Sequence, residues 1–150
     1  MPKLNILNRR QKGDGYCMPA CVEMVLAFYE MPRSQTDIAK LLGVIDDGGV
    51  PASRVLRLAS RKLSVKRQIG SKDDLLLALE KGVPPILEVN TRQLPYWTTP
   101  SAHVVLLAAI DADTALVNDP AFEQPMATPF AELQLAWDEM DNYFTLIERV

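Results

Sequence analysis

Several residue types are scarce in this chain of 150 residues. It contains one histidine and two cysteines, and aromatic residues make up only 7% of it. The two cysteines are four residues apart on one predicted helix, where the disulfide torsion is rarely possible, so both are expected to be free thiols. With 48% hydrophobic and 23% charged residues, the composition predicts one globular domain spanning residues 1–150.

The chain also lacks an excess of positive charge and long apolar runs. Its 16 basic and 19 acidic residues are scattered and give a net charge of −3, which argues against nucleic-acid binding. The longest apolar run, VVLLAAI at 104–110, is too short to span a bilayer, and the N-terminal MPKLNILNRRQK has no apolar signal core. We therefore expect no membrane segment and a cytoplasmic location.

Cys17 lies at the predicted start of a helix. Proline is tolerated only in a helix's first turn, so Pro19 requires the helix to begin close to Cys17. A thiol at that end lies in the positive part of the helix dipole, which favours the thiolate. Cys17 also shares a helical face with Cys21, Met24 and Phe28, so a buried structural thiol is the alternative interpretation. Cys21, one turn further along, is assigned to the core.

Three further residues complete the set that thiol catalysis needs. His103 begins the apolar segment HVVLLAAI, Asp119 follows in VNDP, and Gln11 precedes Cys17 by six residues. The imidazole would transfer protons and the carboxylate would orient it. The Gln11 amide and the backbone N–H of Cys17 would form an oxyanion hole. Each residue alone has an ordinary explanation, as core histidine, Asp-Pro turn or solvated glutamine, so the prediction depends on their joint order and spacing.

Helical patterns come first in the chain and strand patterns later. Ser34 and Gly43 bound a second helix, the loop DDGG leads to a third near Val55, and Ser71 caps a fourth. The predicted strands are 65–69, ILEVN at 86–90, a hairpin of 103–110 with 115–118 around DADT, and 144–148. This order predicts an α+β domain with N-terminal helices packed on a C-terminal antiparallel sheet, and a cleft where the Cys17 helix meets the sheet.

The stretch from Gln11 to Cys21, together with SAHVVLLAAIDADTALVNDP, resembles the peptidase domain of double-glycine leader peptidases in the papain-like superfamily. The similarity covers nearly the whole chain and is to a stand-alone form of this peptidase domain. It implies a papain-like cysteine peptidase that uses Cys17, His103, Asp119 and Gln11. Those peptidases usually have Asp-Cys-Gly and Gly-His at the site, whereas Cys17 lies between Tyr16 and Met18 and His103 follows Ala102. A Gly-Gly cleavage site is therefore not implied.

Alternatives of three kinds stay open at this point. The same acyl-enzyme could serve a thiol acyltransferase or amidase, or the domain could be a non-catalytic peptide-binding module. A zinc site from Cys17, Cys21, His103 and Asp119 is the minor alternative, because the cysteine spacing matches zinc knuckles poorly. We expect no cofactor or metal, a peptide or protein substrate, and any transporter as a separate partner.

The segment TRQLPYWTTPS directly before His103 is the predicted substrate-facing loop. Tyr96 or Trp97 would lie near the mouth of the cleft. A packed aromatic plug that holds the loop down is an equally good interpretation.

Overall fold

The structure is a computed structural model that describes residues 3–45 and 48–150. Its helices are α1 (Cys17–Phe28), α2 (Gln35–Leu42), α3 (Lys72–Glu80) and α4 (Phe130–Asp138), with 3₁₀ helices at Ala52–Leu58 and Thr91–Gln93. Its strands are β1 (Leu63–Ile69), β2 (Ile86–Asn90), β3 (Ala102–Asp111), β4 (Thr114–Asn118), β5 (Met126–Pro129) and β6 (Tyr143–Arg149). Over the described ranges, no helix combines the length and apolar character that crossing a membrane requires.

The six strands form one antiparallel sheet in the order β1-β6-β2-β3-β4-β5. Alternate residues of β3 point to opposite faces, so Val104 and Leu106 belong to one core and Val105 and Leu107 to the other. The first core also contains residues of α1 and α2, and the second contains residues of α3 and α4. Helices thus cover both faces of the sheet.

The α+β prediction is confirmed, with two differences in detail. The helix expected near Val55 is a 3₁₀ helix, and β5 was not predicted because MATP is short and half exposed. Asp46 and Asp47 of the predicted loop DDGG lie outside the described residues. The sheet also recruits β1 from the middle of the chain, since β1 pairs with β6 along its whole length.

The predicted helix ends are present. Ser34 accepts a hydrogen bond from the Asp37 N–H at 3.1 Å, and Gly43 adopts the left-handed conformation that ends α2. Before α3, the Asp74 carboxylate accepts a hydrogen bond from the Ser71 N–H at 2.8 Å. Local sequence therefore fixes where these helices begin and end.

Candidate active site

Cys17 is the first residue of α1, as Pro19 predicted. The helix packs its buried residues against β3, which brings the Cys17 thiol to the imidazole of His103, near the start of that strand. The thiol and the imidazole lie close enough for each to shift the pKa of the other. A residue from the start of the chain and one from its last third thus meet where the helix abuts the sheet.

Asp119 lies behind His103. It follows β4 directly, and its Oδ1 is 2.7 Å from His103 Nε2. This contact occupies one ring nitrogen and leaves Nδ1 for the thiol of Cys17. Thiol, imidazole and carboxylate therefore lie one after the other, the arrangement in which a carboxylate orients a base and the base serves a nucleophile.

The Asp119 carboxylate is fully buried and accepts hydrogen bonds on both oxygens. Oδ1 accepts from the Ala121 N–H at 2.9 Å as well as contacting His103. Oδ2 accepts from the Trp97 indole N–H at 2.8 Å and from the Tyr96 hydroxyl at 3.0 Å. Four donors therefore satisfy a charge that would otherwise be costly to bury.

Burial and hydrogen bonding act on these titrating groups in opposite directions. Burial alone would raise the pKa of the Cys17 thiol, but the hydrogen bond and charge of His103, with the backbone N–H groups of Val104 and Met18, lower it below 9.0. Burial alone would lower the pKa of His103, but Asp119 and Cys17 raise it to about 9. Burial would likewise raise the pKa of Asp119, yet His103, Trp97 and Ala121 lower it.

These directions favour the charged pair over the neutral one. The thiolate of Cys17 faces the imidazolium of His103, and ionised Asp119 lies on the far side of the ring. Cys21 behaves differently: burial, followed by the charges of Cys17 and Asp119, raises the pKa of its thiol well above 9.0. Both cysteines are free thiols, but the conditions for a reactive one are met at Cys17 alone of the two.

Gln11 lines the same cleft as Cys17 and His103. Its backbone N–H donates to the Pro120 carbonyl at 2.8 Å, which ties it to the residue after Asp119. Its side-chain Nε2 donates to the Gly13 carbonyl at 3.0 Å, which uses one of its two amide hydrogens. Its Oε1 is buried and has no partner among the described residues.

A second glutamine holds the segment that carries Gln11. Gln35, the first residue of α2, is buried; its Oε1 accepts from the Lys12 N–H at 2.7 Å and its Nε2 donates to the Arg10 carbonyl at 3.1 Å. The residues on either side of Gln11 are therefore fixed through one side chain. This role of Gln35 was not predicted, because Gln35 carries no local signal beyond its position at a helix start.

The loop between β2 and β3 places one aromatic ring in the cleft wall and packs both of its aromatic rings down. Trp97 lines the cleft, and its ring meets the His103 ring edge to face at 5.0 Å between centroids. Tyr96 and Trp97 both pack on Phe122, at 5.2 and 5.5 Å. The aromatic pair is thus packed down, as the plug interpretation expected, and its polar atoms are directed at Asp119.

The cleft has a volume of about 620 Å³. Gln11, Asp14 and Gly15 form part of its wall together with Gly48–Pro51, and Trp97, Thr99 and Ser101 form another part, with Cys17 and His103 between them. All four residues predicted from sequence are brought together: three line the cleft, and Asp119 lies behind His103. In the described part of the chain, no three His, Cys, Asp or Glu side chains are grouped as metal ligands.

The sequence profile of the family described as "Peptidase_C39 like" matches residues 3–144. The chain belongs to this family. It is accordingly a cysteine peptidase. No curated protein matches this C39-like peptidase significantly.

Solved structures resemble it over nearly its whole length. A double-glycine-motif protease from an AMS/PCAT transporter, solved with its leader peptide, has a TM-score of 0.77 and 21% identity, covering 99% of this chain and 95% of that one. A C39-like peptidase from Bacillus anthracis has a TM-score of 0.80 and 16% identity, and the match covers 99% of this chain and 98% of that one. A third structure is the peptidase domain of Streptococcus ComA, a bifunctional ABC transporter of a quorum-sensing pathway. It has a TM-score of 0.73 and 14% identity, and the match covers 94% of this chain and 97% of that one. The likeness shows that the C39-like peptidase has the papain-like peptidase fold.

Proposed function

We propose that the protein hydrolyses peptide bonds through an acyl-enzyme on Cys17. The observation that carries the proposal is that the Cys17 thiol and the His103 imidazole meet in one cleft, with His103 Nε2 2.7 Å from the buried carboxylate of Asp119. The thiolate attacks the carbonyl carbon, and a C–S bond forms. The carbonyl oxygen becomes an oxyanion that accepts from the Cys17 N–H, unpaired at the first position of a helix, and from the free amide hydrogen of Gln11.

Collapse of the tetrahedral species breaks the C–N bond. The imidazolium of His103 gives its proton to the leaving amine, and Asp119 keeps the ring in the orientation needed for transfer. Neutral His103 then removes a proton from a water that attacks the thioester. The thiolate leaves, and His103 regains its charge, so the site returns to its starting state.

We further propose that the substrate is a peptide or protein segment and that the enzyme works in the cytoplasm, with any transporter as a separate partner. One structural relative was solved with a leader peptide, and another is part of an ABC transporter. The cleft of about 620 Å³, bounded by the loops at 11–15, 48–51 and 97–101, has room for a segment of a peptide.

The test is incubation of the purified protein with a peptide library, with products identified by mass spectrometry. Wild type should cleave and Cys17→Ala should not, while Cys21→Ala, the matched control one turn along the same helix, should lose stability but keep turnover. Iodoacetamide at mildly acidic pH should alkylate Cys17 well before Cys21. Turnover by Cys17→Ala would refute the proposal.

A reaction in water labelled with heavy oxygen distinguishes hydrolysis from acyl transfer to an amine. Hydrolysis incorporates the heavy oxygen into the new carboxyl terminus, whereas transfer to an amine leaves no label there. Absence of the label in the products would favour the acyltransferase function.

A further inference from the structure

A second cavity opens beside the nucleophile. It has a volume of about 260 Å³ and shares Cys17 and His103 with the main cleft. Apart from Glu88 of β2, the remaining walls are apolar and come from α1, residues 50–52, β3 and the turn after α4; they are Met18, Val50, Pro51, Ala52, Ala102, Val104 and Met140. Four of them, Met18, Val50, Pro51 and Ala102, also line the main cleft. A side chain from a residue flanking the scissile bond would meet this surface.

The acid in the wall of this cavity is already paired. Glu88 is buried, and its carboxylate accepts two hydrogen bonds from Arg67, at 2.8 and 3.0 Å. Arg67 is itself stacked on the Tyr143 ring, with its guanidinium carbon 4.0 Å from the ring centroid. A basic substrate side chain would have to displace Arg67 to reach Glu88, and the cavity therefore favours apolar side chains over charged ones.

Resting on the proposed function, we infer that this peptidase selects an apolar side chain, of the size of leucine or methionine, at a residue flanking the scissile bond. A glycine there would leave the apolar walls in contact with water, so it gains nothing from them. The cavity thus points to a substrate class different from the double-glycine motif for which one structural relative is named. Met18, the residue that follows the nucleophile Cys17, is one of the apolar residues in the wall of this cavity.

The experiment uses matched peptides that carry glycine, leucine, lysine or glutamate in turn at each of the two positions on both sides of the cleaved bond. At one position, leucine should give a kcat/KM about 10-fold or more above glycine, and lysine and glutamate should give no gain. Equal values for leucine and glycine at all positions, or a preference for lysine, would overturn the inference.

Variants in the 3₁₀ helix locate the effect. Ala52→Phe fills the cavity and should lower kcat/KM for the leucine peptide towards the value for the glycine peptide. Leu56→Phe, which adds a ring on the same 3₁₀ helix outside the cavity at a position 47% exposed, should keep the wild-type preference. Thermal unfolding followed by circular dichroism checks that both variants fold.

A binding measurement separates this inference from the proposed function. If no peptide is cleaved, protection of Cys17 from iodoacetamide is measured with the same peptides. Protection at a concentration about 10-fold lower for leucine than for glycine would support the cavity's specificity while refuting hydrolysis. Equal or absent protection would overturn both.

Discussion

Asp119→Asn should lower the free energy of unfolding, because Asp119 accepts a hydrogen bond from Trp97. The indole N–H donates to Asp119 Oδ2 at 2.8 Å and can only donate, whereas the Tyr96 hydroxyl on the same oxygen can rotate and accept instead. An amide puts an NH₂ group at one of the two oxygen positions. If that position is Oδ2, the group faces the Trp97 N–H; if it is Oδ1, it faces His103 and the Ala121 N–H.

The expected cost follows from the number of hydrogen bonds that are lost. Hydrogen bonds to a charged group contribute about 1.5–3 kcal/mol, and a buried donor left unpaired costs about 1–3 kcal/mol. We expect Asp119→Asn to lower the free energy of unfolding by about 3 kcal/mol. Trp97→Phe removes the opposing donor, so the two substitutions together should cost less than the sum of their separate effects, by about 1.5–3 kcal/mol.

The assay is a double-mutant cycle measured by urea unfolding at pH 7 with circular dichroism. The matched control is Trp137→Phe, which removes an indole N–H that donates at 2.9 Å to the neutral Tyr143 carbonyl. In the control cycle with Asp119→Asn the effects should add to within about 0.5 kcal/mol. Additivity in the Trp97 cycle as well would refute the argument that Trp97 holds the carboxylate.

Two further predictions concern turnover. The pH dependence of kcat/KM should be bell-shaped: it rises as the Cys17 thiol ionises, below pH 9.0, and falls with a midpoint near pH 9 as His103 loses the proton it must donate. In Asp119→Asn the alkaline limb should move to lower pH, and an unmoved limb would contradict the assignment. Gln11→Ala should reduce turnover about 10²–10³-fold while iodoacetamide still alkylates Cys17 at nearly the wild-type rate, because alkylation forms no oxyanion. Wild-type turnover in that variant would remove Gln11 from the oxyanion hole.

Several features of this protein follow from sequence alone because they depend on neighbours along the chain. Pro19 fixes the start of α1, and Ser34 and Gly43 bound α2. The turn at Ala112, between β3 and β4, follows from DADT. The resemblance around Gln11, Cys17, His103 and Asp119 was also enough to predict the family. The prediction that these four side chains come together agrees with their positions in the fold.

The tertiary structure decided the environment of those residues. Nothing near Trp97 in the sequence indicates that its N–H reaches a carboxylate 22 positions away, because that contact requires β3 and β4 to pair and the loop before β3 to fold over Asp119. Gln35 reaches the Gln11 segment only because α2 packs beside α1. The cavity beside Cys17 is likewise lined by side chains from distant parts of the chain. Local pattern specifies turns and helix ends because their partners are a few residues apart, whereas hydrogen bonds and cavities between distant segments exist only once the sheet has aligned them.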